Sequence, residues 1–142
     1  MGTIFGQNIS IEGPEIQADN SKVNIQSFQG AIDLTVDRIV SRGTLGTGSK
    51  FVVSAGTINL TPFSAKSIAI DTGVLNSGLN RWDGLYTQTI FYAFQALTIN
   101  APLTCNASAT IDANGGSVEF TSASLFAIDS IKANANCSTH RH

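Results

Sequence analysis

Charge is the scarcest ingredient of this chain. Only 13% of its 142 residues are Asp, Glu, Lys or Arg, where soluble domains usually carry roughly a quarter. The eight cations, at positions 22, 38, 42, 50, 66, 81, 132 and 141, are scattered. Phosphate binding needs clustered cations, so the sequence argues against nucleic acid as a partner. Solubility must rest on Ser, Thr, Asn, Gln and Gly. Histidine is missing from the whole body of the chain and appears only at His140 and His142. No imidazole is therefore available there as a general base, and there is no Gly-x-Ser-x-Gly elbow or phosphate loop. Asp33 with Asp37, or Asp112 with Glu119, could be paired as carboxylates for glycan hydrolysis. Solvated acids on loops and strand faces are the simpler reading, and no enzyme is expected.

Long apolar runs are missing too. Nothing approaches the ~20 residues that span a bilayer as a helix. Met1 to Gly6 has neither the basic start nor the apolar stretch of a signal peptide, so export by lysis or a dedicated machine is expected over ordinary secretion. The two cysteines, Cys105 and Cys137, lie 32 residues apart and form no CxxC pair, which argues against a zinc site within one chain. They are read as two semi-buried thiols or as a disulfide formed in oxidising surroundings.

What is present is alternation. Ile9-Ser10-Ile11, Val23-Asn24-Ile25, Ile32-Asp33-Leu34-Thr35-Val36, Ile58-Asn59-Leu60 and Ile68-Ala69-Ile70-Asp71 each set apolar groups on one face of a strand. Leu97-Thr98-Ile99, Leu103-Thr104-Cys105-Asn106-Ala107 and Val118-Glu119-Phe120 continue the pattern. Each run is short, rich in β-branched residues and bounded by Gly, Asn, Asp or Ser. The fold class is all-β. Small uncharged polar groups between the apolar ones suit strands stacked so that side chains hydrogen-bond along the stack. No repeat of fixed length is visible, so the pattern establishes no regular solenoid, and a jelly roll would satisfy it equally.

Three regions follow from composition. Residues 1–30, broken by Gly13-Pro14, read as an N-terminal attachment region. Residues 31–96 form a β-rich body that holds a Gly/Thr/Ser loop and an aromatic cluster including Trp82 and Tyr86. Residues 97–142 form a slender series of strands with little aromatic bulk. Ordering costs roughly 1–2 kcal/mol per residue and burial returns only ~25 cal/mol per Å². A segment so lean should need partners along its length, and an elongated intertwined homotrimer supplies them while leaving few exposed edges.

Two strings carry resemblances. Asn76 to Tyr86 resembles a segment of phage tail-fibre and spike proteins that leads through a turn into a strand of an interwoven trimer, with Arg81, Trp82, Leu85 and Tyr86 matching. In that setting Trp82 and Tyr86 anchor a local core cluster or, alternatively, form a receptor platform. Leu97 to Pro102 and Ala109 to Gly116 look like the triple-stranded β-helix of central spikes from contractile phage tails, which close in a His-x-His tip. His140-Arg141-His142 matches that tip. Alternation places both histidines on one side of a strand, and three chains would converge six imidazoles, enough for an octahedral transition-metal ion. The resemblance implies iron, held by His140 and His142 at the trimer axis. The family's pair usually precedes the end by a few residues, and its larger members carry an N-terminal OB-like barrel that is not recognisable here.

The expectation is a structural virion protein at the tail tip or baseplate. It would be a central spike, docked through its N-terminal end to a hub or tube protein, that pierces the host outer envelope on contraction. A short tail fibre or receptor-binding protein recognising host glycan, or a capsid decoration protein, are the alternatives.

Overall fold

The computed structural model describes residues 2–19, 21–43, 49–74, 88–108, 117–122, 125–133 and 137–141. Twelve strands run along these segments in the order β1 (Gly2–Phe5), β2 (Ile9–Glu12), β3 (Glu15–Asp19), β4 (Lys22–Gln26), β5 (Ala31–Thr35), β6 (Arg38–Gly43), β7 (Lys50–Thr61), β8 (Ile68–Val74), β9 (Gln88–Ser108), β10 (Ser117–Ser122), β11 (Leu125–Ala133) and β12 (Cys137–Arg141). Among the described residues there is no helix, and every strand pairing is parallel. The all-β expectation holds. All twelve strands belong to one curled sheet.

The registers sort these strands into three tracks. Gly2, Val23, Phe51, Thr89, Val118 and Cys137 are successive partners on the first. Ile9, Ile32, Ile58, Leu97 and Phe126 follow one another on the second. Ile16, Ile39, Ile70, Cys105 and Ala133 make the third. The chain visits the tracks in turn and then returns to the first one strand higher, so each coil stacks on the one before. Such pairing is intramolecular, between coils of a single chain. It supplies burial that the sequence argument sought in neighbouring chains.

Alternation explains why these residues form strands and which side they bury. On the second track Ile32, Ile58 and Leu97 stack as one column, and Leu34, Leu60 and Ile99 as the next; all are essentially buried. Between the columns, on the outer face, lie Asp33, Asn59 and Thr98 in register. The expected bonding along the stack occurs here: the Asn59 amide donates to Asp33 at 2.7 Å, and Asn100 donates to Thr61 at 3.0 Å.

The first track holds the heaviest packing. Phe91 and Phe120 are cross-strand partners whose rings stack with centroids 5.0 Å apart and planes 8° off parallel. Phe51 meets Phe91 edge-on at 6.5 Å. All three are fully buried, in the same core as the aliphatic columns. Toward the third track the interior turns polar, where the Thr72 and Thr89 hydroxyls share a buried hydrogen bond of 2.7 Å.

The 96/97 division drawn from composition falls inside β9, a strand of 21 residues that touches all three tracks. The 30/31 division falls between β4 and β5 of one coil.

One corner is ordered by charge. Asp37 Oδ1 accepts hydrogen bonds from the backbone amides of Phe63, Ser64 and Ala65, each at 2.8 to 2.9 Å, and Oδ2 accepts from the Ser64 hydroxyl. Those amides, Ala65 foremost and then Ser64, hold the Asp37 carboxyl below its ordinary value of 3.8. A depressed carboxylate contributes its order above the unfolded value and loses it as pH falls through the lower folded one. In an NMR titration the amides of Phe63, Ser64 and Ala65 should therefore shift together with a midpoint below 3.8, and the transition should vanish in Asp37→Ala. A midpoint at or above that value would contradict the arrangement.

Candidate functional site

Two surfaces stand out once the coils are laid out: the corner joining the first and second tracks, and the face of the first coil. The corner is built by close approach of backbones. Gly30 lies so near the first coil that a Cβ there would sit 1.7 Å from the Gln7 carbonyl oxygen, and a Cβ on Gly56 would sit 2.7 Å from that of Gln29. Polar groups brace it. The Ser27 hydroxyl donates to the Gln7 carbonyl and accepts from the Gly30 amide at 3.0 Å, and the Ala31 amide donates to Asn8 Oδ1 at 3.1 Å.

With its backbone fixed inward, this corner carries its large side chains outward. Phe5 is 69% exposed, Phe28 71% and Phe94 43%, values that only a surface free of intramolecular cover allows. Phe94 and Gln95 stand opposite the single residue Gly56, where the register between β7 and β9 slips. Such a bulge re-aims side chains away from the regular pleat. The result is a cleft of about 240 Å³ lined by Phe28, Gln29, Gly56, Phe94 and Gln95. A second, of about 290 Å³, adjoins it along the stack and is lined by Phe5, Gly6, Gln7, Phe28, Gln29 and Gly30. Phe28 and Gln29 are the wall between them. Among the described residues no charged side chain lines either.

Among the described residues β1, β2 and β3 each pair with one neighbour only, β4, β5 and β6. The apolar columns that are sealed higher up begin here at Ile4, Ile9, Ile11 and Ile16, of which Ile4 is 46% exposed and the others half-buried. Unpaired strand edges above half-covered isoleucines form a template for a further layer of strands.

The residues singled out in the sequence fall elsewhere. His140 lies in β12, in register with Thr121 of β10, and among the described residues β12 pairs with no other strand. His142 lies outside the described residues, as do Trp82 and Tyr86. Cys105 lies on the third track beside Ile70, and Cys137 on the first beside Val118. The backbone registers set the two cysteines on different tracks, with β10 between β12 and β9. Among the described residues no three His, Cys, Asp or Glu side chains gather to hold a metal. Of the acids paired for hydrolysis, Asp37 is engaged by backbone amides and Asp33 by Asn59. Glu119 accepts from Thr121 at 3.1 Å, and Asp112 lies outside the described residues.

Sequence reasoning missed the corner. A signal was present: the dipeptide Phe-Gln recurs at 28–29 and 94–95, and Phe5-Gly6-Gln7 is a near copy. No family model, curated protein or solved structure matches the chain.

Proposed function

We propose that this chain is a structural rod of a virion tail: the central spike at the baseplate of a contractile tail, acting as a homotrimer that pierces the host outer envelope. The observation that carries the reading is the unbroken first track. It runs from β1 through β4, β7, β9 and β10 to β12, so the open first coil and the strand bearing His140 occupy opposite ends of one stack. A parallel ladder over a continuous apolar core resists bending, which suits a part that transmits thrust. The open edges of β1 to β3 are where a hub or tube protein would add its own strands.

At the other end His140 lies on β12, the last described strand, where three copies would pool imidazoles. With His142 they would hold a transition-metal ion, iron by the family resemblance, whose chemistry is to cross-link the ends. Neutral imidazole is required, so the tip should loosen as pH falls through about 6.5.

Native mass spectrometry with and without a chelator tests this. The expected result is a trimer with one chelatable metal ion that is lost in His140→Ala. A monomer would contradict the reading, and a metal-free trimer would move it to a fibre or a capsid decoration protein. Of those alternatives the receptor-binding fibre has an observation in its favour, the exposed aromatic corner, which a piercing rod does not need.

A further inference from the structure

We infer that the corner joining the first and second tracks is a binding site for neutral saccharide, taking one sugar ring between Phe28 and Phe94 over Gly56, with the adjoining cleft lined by Phe5 and Phe28 receiving the next residue of the chain. This deepens the receptor-binding reading and rests on it, not on the metal-tipped one.

The slot arises from the missing side chain of Gly56. Phe28 belongs to the second coil, Gly56 to the third and Phe94 to the fourth. Strand spacing sets the flanking residues about 9.5 Å apart along the stack. A flat ring in van der Waals contact on both faces needs about 7–8 Å. A residue larger than glycine in the third coil would fill that gap. Glycine is also enforced from beneath by the Gln29 carbonyl, so the slot and the fold of the corner depend on the same residue.

The lining decides the ligand's chemistry. Phenyl faces are electron-rich and receive the C–H face of a pyranose. Gln29 and Gln95 in the first cleft, with Gln7 in the second, each offer both a donor and an acceptor, as a ring of hydroxyls requires. An apolar helix or acyl chain laid here would bury these amides without partners, which is costly. A nucleotide or sialylated glycan would bring negative charge to a lining without a cation. The site is also held in shape before any ligand arrives, through Ser27, Gly30 and Asn8. Its two compartments share Phe28, so the best ligand is an oligosaccharide running along the corner.

An array of neutral oligosaccharides built from glucose, galactose and N-acetylglucosamine, followed by NMR titration of the strongest hits, tests the assignment. Amide shifts should concentrate at Phe28, Gln29, Gly56, Phe94 and Gln95. Phe28→Ala, which removes the shared wall, should weaken binding by about tenfold or more. Phe94→Ala should weaken it as well, and Phe63→Ala, at another corner, should not. The absence of a hit at millimolar sugar, or shifts indifferent to Phe28, would overturn the assignment. So would a change in oligomeric state on Phe28→Ala measured by sedimentation, because the corner would then be a contact between copies. Phe28 is mostly exposed, so the variant should keep the wild-type unfolding curve. Trimer mass and metal content are read separately and are unaffected by these corner variants. Failure here therefore leaves the rod intact, and failure there leaves the sugar site standing.

Discussion

Phe91→Ala should be among the most damaging truncations in the described residues, lowering stability by about 3–5 kcal/mol. The ring is fully buried and stands between Phe51, met edge-on at 6.5 Å, and Phe120, stacked at 5.0 Å. Its removal leaves a void that two rigid phenyl neighbours cannot collapse to fill. The position also matters. In a stack each coil touches only its neighbours, and Phe91 links the coil of β7 to that of β10 through one side chain. Urea denaturation should show a lower midpoint, with a lowered slope if the upper coils separate from the lower ones. Phe5→Ala, at an exposed phenyl, should stay within about 0.5 kcal/mol of wild type. Equal effects at the two sites would contradict the core described here.

Gly30→Ala should destabilise by more than the roughly 1–3 kcal/mol usual for an added methylene in a packed interior. The added carbon would lie 1.7 Å from the Gln7 carbonyl oxygen, 2.7 Å from its carbon and 2.9 Å from Asn8 Oδ1. Backbone cannot move aside as a flexible side chain would, so the first and second coils must part at this corner. The Ser27 bond to Gln7 and the Asn8 bond to Ala31 go with it. Gly13→Ala is the matched control, since a Cβ there meets nothing within 4 Å. Amide exchange should rise at residues 6 to 8 and 27 to 31 in Gly30→Ala alone. Similar stability of the two variants would mean that the first coil is not seated on the second as described.

The alternating runs were legible because burial on one face imposes period two. Ile9 to Ile11, Val23 to Ile25, Ile58 to Leu60 and Val118 to Phe120 all lie within strands, with Ile58, Leu60 and Phe120 buried. How those runs pair was not legible. Gly2, Val23, Phe51, Thr89, Val118 and Cys137 stack on one track, yet the steps between their numbers are unequal. Segments of differing length between the third and first tracks hide the repeat, although the coil itself is regular. The body of residues 31–96 read as carrying one aromatic cluster, in which Phe91, Tyr92 and Phe94 follow Trp82 and Tyr86 closely. In the strand they part company: Phe91 points into the core, while Tyr92 and Phe94 lie outside, edge to face at 4.9 Å.

The corner site was legible only in part. An exposed phenylalanine and a buried one have the same letter, and what distinguishes Phe28 from Phe51 is the backbone beneath it. Gly30 and Gly56 read as ordinary turn punctuation, whereas their role is to let carbonyls pass close by. The attachment role assigned to residues 1–30 stays a proposal. It was read from composition and not from any sign of unpaired strands.

The account rests most on one chain supplying its own strand partners. The measurement that tests this is an isotope-filtered NOE experiment on a mixture of labelled and unlabelled protein. It would follow the column Ile32, Ile58 and Leu97. Contacts from Ile58 to Ile32 and to Leu97 should appear within the labelled chain, in parallel register, and be missing between chains. If those contacts arise only between labelled and unlabelled chains, the strands are intertwined among copies and the single-chain coil is wrong.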